Sequence, residues 1–364
     1  AGSVFLIVLA GLVASNARIT HDTALGFDPS RMVSLGGMED DGRLARELSA
    51  LPNVAAVAAT SGVPLMGEMP AVNALRDGRS DRLRLRYVDA GWWAMMNLPL
   101  HAGRSFSAVE GEDAGSAIVS ERAARLLWPE RMALGERVRL QRESDDGWAI
   151  DRQVEVVGVV GDAATGLLFG DPLKAVIYLP ARPGSRAASN LLLQLNDVSW
   201  SAVAQLERDC QRIAAEAACR PLRLTDALTV QRLPFAVASR ISHGLAWLAL
   251  GISCIGLYGL VSYALVQQRK ELGVRMALGA RAGDVVRHVM RGAARPLLIG
   301  LLIGITLAAA GSRLLAHLTE YVRAFSLEAF LLQPLLLLAI ALLAAWLPAR
   351  RASRVAPSEC LRAD

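Results

Sequence analysis

The chain has 364 residues, 53% of them hydrophobic and 5% aromatic, with a formal net charge of +5 and a mean hydropathy of +0.34. That apolar fraction is high for a soluble protein, and it is aliphatic in origin. The basic surplus is local: residues 18–240 carry 26 basic and 28 acidic side chains, residues 267–295 seven and two, and residues 348–364 four and two. Positive charge beside long apolar segments is the positive-inside pattern of a membrane protein, which excludes a nucleic-acid-binding face as its meaning.

Gly2–Ala14 is apolar but shorter than the ~20 residues a spanning helix needs. No basic region precedes it, as a signal peptide requires. The chain begins with Ala1 rather than Met, so residues 1–17 read as the outer end of a first transmembrane helix whose start has been cut away. A signal-sequence remnant is the alternative.

Residues 18–240 read as one large α+β domain with room for two subdomains. Helical spacing covers Asp40–Leu51, Ser120–Trp128 and Ser199–Ala218. Strand patterns cover Val54–Ala59, Val154–Val160, Val176–Leu179 and Leu191–Leu195. Arg82–Val88 alternates charged and apolar residues, as a half-exposed strand does.

Ile241–Val266 contains no Asp, Glu, Lys or Arg and is the strongest spanning segment. Segment 267–295 follows and is basic. Pro296–Leu318 is the next span, with Arg313 near its end, where a long side chain can reach the interface. A short loop, 319–328, leads to the last span, 329–347, with Pro334 in its first turns. The basic tail is 348–364. Charge places 267–295 and the tail in the cytoplasm, and residues 18–240 and 319–328 outside. The expected fold is an α-helical membrane protein with a large extracytoplasmic α+β domain, one partial and three complete transmembrane helices.

Of the cysteines, only Cys210 and Cys219 share the outer compartment. They flank the end of a predicted helix. Nine helical residues span about 13.5 Å, too far for a disulfide unless the helix ends between them.

Catalytic signatures are missing from the sequence. The two lysines, Lys174 and Lys270, lie outside any P-loop pattern. His21, His101, His243, His288 and His317 form no pair with metal-ligand spacing. The chain is therefore not expected to be an enzyme, nor to hold a metal or cofactor.

Residues 267–295 read QQRKELGVRMALGARAGDVVRHVMRGAAR. Arg269, Lys270 and Glu271 form a charged collar at the membrane exit. Gly279–Ala280 reads as a turn, and Asp284 as the cap of a short helix, Val285–Met290. Such a surface suits docking of another protein; a loop that only fixes topology is the competing reading.

Here the sequence becomes specific. RKELGVRMALGA resembles the signature that follows the second helix of FtsX-like, MacB-type ABC permeases, and PARRASRVAPSECLRAD resembles the closing motif of that family. YVDAGWWAMMNLPLHAGRSFS, AIVSERAARLLWPERMALGERVRL and VEVVGVVGDA followed by VIYLP resemble its periplasmic core domain. Trp92–Trp93 stands where the family often has Tyr–Phe, at an aromatic packing position. The resemblance is nearest to duplicated permeases, of which this would be the second half.

The resemblance implies a bacterial inner-membrane, multi-pass permease that carries ATPase-driven motion to its outer domain. ATP would be bound by a cytoplasmic ABC ATPase subunit docked on Arg269, Lys270, Glu271, Gly273, Arg275, Gly279 and Ala280. Glu271 and Arg275, spaced i, i+4, would pair on the coupling helix. Pro296, Gly300, Gly304 and Ala308 recur every four residues, and Gly300 and Gly304 are expected to form a helix-packing face. A second permease half or protomer, the lipid bilayer and a periplasmic protein are the other expected partners. The alternative function is a non-transporting receptor or scaffold that regulates a periplasmic partner.

Overall fold

The computed structural model describes residues 2–8, 11–12, 18, 24–36, 42–142, 149–168, 173–214, 219–267, 282–318, 330–331 and 333–352. Two compact units result: Asp22–Arg232, and Ala1–His21 with Leu233–Asp364. A short helix, α1 (residues 2–8), opens the described chain.

In the first unit, β1 (Met32–Leu35), α2 (Arg43–Ser49) and β2 (Val54–Thr60) come first. Then follow β3 (Ala71–Arg76), β4 (Arg79–Val88), α3 (Gly91–Met96), β5 (Leu100–Gly103), β6 (Ser116–Ser120) and α4 (Glu121–Leu127). The chain continues through β7 (Arg137–Arg142), β8 (Ile150–Val160), β9 (Val176–Pro180), β10 (Asn190–Leu195), α5 (Trp200–Ile213) and β11 (Leu222–Arg223).

The units β1–α2–β2 and β10–α5–β11 interleave as an antiparallel sheet in the order β11–β1–β10–β2. This is the ferredoxin-like split βαβ arrangement. Because side chains alternate along a strand, Val33, Leu35, Leu191, Leu193 and Leu195 face the core they share with Leu44 and Leu48 of α2 and Val203 and Leu206 of α5. Met32, Ala58 and Leu192 face a second core with Trp92 and Met96 of α3. Both faces are covered, which is why NLLLQL shows no polar alternation.

The strands inserted between β2 and β10 close on themselves. Pairings run β4–β3–β7–β8–β6–β9 and back to β4, a six-stranded barrel. Leu83, Leu85, Val119, Leu140, Val156 and Ile177 belong to its core, with Ala123 and Leu127 of α4 and Trp128. The β3–β4 hairpin turns on Asp77 and Gly78, both at positive φ (48° and 76°). That is the two-residue primed turn favoured by Asp–Gly. Gly103 sits at φ +79°, where an added Cβ would lie 2.2 Å from the Val157 carbonyl oxygen. Only glycine allows β5 to approach β8 this closely.

The helix expected over Ser199–Ala218 is corrected. It starts after Ser199, whose hydroxyl accepts the Ala202 N–H at 3.3 Å, and it ends at Ile213. With the helix stopped between them, Cys210 and Cys219 form a disulfide, Cα atoms 5.9 Å apart.

Helix α6 (Leu224–Gln267), and in the second unit α7 (Ala282–Leu318) and α8 (Gln333–Ala352), are longer than the sequence pattern suggests. The expected helix Val285–Met290 and the span from Pro296 are one continuous α7, with Pro296 inside it. Likewise Pro348 lies inside α8 rather than after it. An internal proline removes one backbone hydrogen bond without ending the helix when both flanks remain helical. By length and composition Leu224–Gln267 and Val289–Arg313 are long and apolar enough to cross a membrane, and Pro334–Trp346 is a shorter apolar helix. Within this unit α1 packs through Val4 and Val8 with Leu250 of α6, Ala308 of α7 and Leu337 of α8. The Ser3 and Ser253 hydroxyls lie 2.6 Å apart.

Candidate functional site at the root of the long helix

Helix α6 begins well before the uncharged segment at Ile241, inside the first unit. Leu224, Ala227 and Leu228 are buried in the second core of that unit. Gln231 completes the i, i+3, i+4, i+7 face and is only 4% exposed. A buried amide needs partners for both its donor and its acceptor. Its Oε1 accepts the Leu168 N–H at 2.8 Å, and its Nε2 donates to the Leu65 carbonyl oxygen.

Leu65 has φ +63°, unusual for a residue with a branched side chain. It is held at both ends, because its N–H donates to the Thr165 carbonyl oxygen at 3.0 Å. The same carbonyl accepts from Arg86 Nη2 at 2.9 Å, while Arg86 Nη1 donates to the Gly62 carbonyl at 2.7 Å and to Thr60 Oγ1 at 3.3 Å. The loops on either side of Leu65 and Thr165 are thereby stitched to strand β4 and to the first turns of α6.

Arg86 departs from the half-exposed strand expected over Arg82–Val88. Strand alternation sends Leu83 and Leu85 to the barrel core and Arg84 and Arg86 to the outer wall. The loops and α3 then cover that wall, leaving Arg86 3% exposed. Its guanidinium lies 5.5 Å from the Trp92 ring centroid, a cation–π arrangement. Burial pulls Arg86 down to about 10, so it remains a cation at neutral pH. Beside it in register, Tyr178 is pushed up to about 12 by burial, against the pull of Arg86.

Trp92 and Trp93 occupy the aromatic packing position expected of them. Trp92 is fully buried, and Trp93 packs edge-on to Tyr178 and Phe106 at centroid distances of 5.2 and 5.7 Å. Asp89 precedes α3 by two residues, its Oδ1 accepting the Trp92 N–H at 3.1 Å. Burial raises Asp89 to about 6, despite several backbone N–H groups that favour the carboxylate.

These groups form one buried hydrogen-bonded cluster within the first unit. Among the described residues no group of three or more His, Cys, Asp or Glu is placed to hold a metal ion. The seven expected coupling residues, Arg269, Lys270, Glu271, Gly273, Arg275, Gly279 and Ala280, lie outside the described residues. Gly304 is buried in α7 and Gly300 half-buried. On the same helix, an added Cβ at Gly311 would meet the Phe5 ring of α1 at 3.4 Å. Gln231 and Arg86 escaped sequence reasoning. The available signal for Gln231 was its position on the face begun by Leu224, Ala227 and Leu228; Arg86 had none, because other segments of the chain bury it.

Comparison with known proteins gives the geometry its context. Residues 2–213 match the MacB-like periplasmic core domain, and residues 244–357 the FtsX-like permease C-terminal model. The uncharacterized ABC transporter permease YknZ of Bacillus subtilis (strain 168) is 23% identical over 387 residues, covering 99% of this chain and 91% of that protein. The pyoverdine export ATP-binding/permease protein PvdT of Pseudomonas syringae pv. tomato is 25% identical over 366 residues, covering 92% of this chain and 51% of the relative. The macrolide export ATP-binding/permease protein MacB of Salmonella choleraesuis is 24% identical over 316 residues, covering 81% and 47%. The chain thus spans about half the length of these two ATP-binding/permease relatives. The chain belongs to the MacB/FtsX-type family of ABC transporter permeases, which are membrane proteins, and its first unit is a MacB-type α+β periplasmic core domain.

Proposed function

We propose that this permease transmits the motion of a cytoplasmic ATPase to its extracytoplasmic domain, with α6 as the transmitting element. Residues 18–240 lie outside and 267–295 inside, on the charge distribution. The ATPase binds ATP and docks on Arg269–Ala280, with the Glu271–Arg275 pair holding that segment helical and Gly279 allowing its turn. Helices α1, α6, α7 and α8 are assigned to the membrane, with Gly300 and Gly304 on a helix-packing face of α7, and a second permease half or protomer completes the assembly. The protein resides in the bacterial inner membrane.

One observation carries this reading. The same helix that contains the uncharged run 241–266 buries Leu224, Ala227, Leu228 and Gln231 in the core of the first unit. Displacement of a helix so anchored moves packed side chains and hydrogen-bonded loops, not a flexible tether.

The test is reconstitution with the cognate ATPase in nanodiscs. Glu271→Arg combined with Arg275→Glu keeps the local pair and inverts the docking surface. ATPase stimulation should be lost while insertion and folding persist. Unchanged ATPase binding and turnover would leave the segment a topology-setting loop and end this assignment.

A further inference from the structure

Helix α5 is tied at both ends to the segment that leads into α6. At its start, Trp200 is 72% exposed, and the Arg223 guanidinium lies over its ring, Cζ 3.7 Å from the centroid. The same guanidinium reaches into the first turn of α6, where Nε donates to Asp226 Oδ2 at 2.9 Å and Nη2 to Oδ1 at 3.2 Å. At the other end of α5, Cys210 is bonded to Cys219. The lengths agree: α5 rises ~15 Å from Trp200 to Cys210, and an extended chain covers ~13 Å from Cys219 to Arg223. The segment therefore runs alongside α5 from one tie to the other.

What lies between the ties is weakly held. β11 is an edge strand, paired with β1 at Val33↔Arg223 and Ser34↔Leu222 alone. Helix α6 begins at the next residue, Leu224. Leu224, Ala227 and Leu228 are buried in the second core, whereas Val203, Leu206, Cys210 and Cys219 belong to the first. These cores cover opposite faces of the sheet β11–β1–β10–β2. By its own side chains α6 holds one face. Through the bridge and Arg223 it also holds α5 on the other. An exposed ion pair by itself would contribute little, but here one planar guanidinium is fixed between two helices, stacked on one and bidentate to the other.

We propose that Arg223 and the Cys210–Cys219 bridge form a clasp that makes α5, β11 and the root of α6 one cooperative unit, with Arg223 as its positioning residue. A pull on α6 then moves the sheet together with α5, instead of peeling β11 from β1. That consequence rests on α6 being the transmitting element. The clasp itself does not, and it is measured without ATPase or nucleotide, so its failure is separate from failure of the coupling test above.

Native-state hydrogen exchange of the full chain in nanodiscs compares the protected amides of residues 222–232 with those of residues 204–213 in α5. In the wild-type protein both segments should open with one free energy. Cys210→Ser, Cys219→Ser and Arg223→Met together should speed exchange of 222–232 roughly tenfold relative to α5, equivalent to ~1.4 kcal/mol. Arg223→Met with the bridge intact should give a smaller change in the same direction. Val203→Ala, which opens a core cavity away from the clasp, should speed both segments by the same factor. If the triple variant does not fold, Arg223→Met in oxidised protein and wild type after reduction take its place. A ratio between the two segments that is the same in wild type and in the clasp variants overturns the proposal. So does a wild-type protein in which 222–232 already exchanges independently of α5, or a clasp variant in which α5 loosens more than 222–232.

Discussion

The side-chain amide of Gln231 accepts the backbone N–H of Leu168 at 2.8 Å, across 63 residues of sequence. With its second bond, to the Leu65 carbonyl, it ties two loops of the outer domain to the first turns of α6. Gln231→Leu nearly preserves volume but leaves that N–H and that carbonyl buried without partners. Each such loss costs about 1–3 kcal/mol, so the outer-domain transition should fall by several degrees in a thermal melt of the full chain in nanodiscs. Gln231→Glu restores only the acceptor and adds a buried charge, so it should melt no higher than Gln231→Leu. A melt unchanged by both variants would remove Gln231 from the cluster.

Asp89 gives the outer domain a specific pH response. Its carboxyl is raised by burial from 3.8 to about 6, so the native state binds the proton more tightly than the unfolded chain does. The stability this proton contributes is fully present below about pH 4 and is lost as pH rises through about 6. Asp89→Asn keeps an oxygen to accept the Trp92 N–H and cannot titrate. The variant should lose the part of the stability change between pH 4 and 6 that wild type owes to this group. Parallel pH profiles for the two proteins would refute the assignment.

The Cys210–Cys219 bridge closes a nine-residue separation between α5 and the strand that precedes α6. A loop of that size is worth about 2–3 kcal/mol in the chain-entropy picture. Cys210→Ser with Cys219→Ser, or reduction of the wild-type protein, should lower the stability by a similar amount, read as a fall of several degrees in the melting temperature. Without reductant, mass-resolved maleimide labelling of unfolded protein should leave both positions unmodified. Ready labelling at Cys210 in unreduced protein from the oxidising compartment would contradict the bridge.

Much of this protein is legible in sequence because the responsible forces are local or periodic. The uncharged run Ile241–Val266 is by itself long and apolar enough to cross a membrane, a property read from length and composition alone. Strands β8, β9 and β10 announce themselves by β-branched and apolar runs, and Ser120 and Ser199 announce the starts of α4 and α5 as side-chain caps. The RKELGVRMALGA and PARRA segments carry the family in their order of residues.

Closure of the barrel, by contrast, depends on the pairing of β4 with β9, whose registered residues Arg86 and Tyr178 are 92 positions apart. No local preference encodes such a pairing. It is selected by the core that the six strands bury together. The same holds for burial of Arg86, whose strand period assigns it to an outer face that only distant loops and α3 convert into interior. Likewise Pro296 and Pro348 read as boundaries in a local pattern, yet continuous helices run through both. Sequence determined which segments are apolar, charged or capped. Tertiary structure decided which polar groups would be shut away from water, because desolvation is set by whatever packs over a residue and not by its neighbours along the chain.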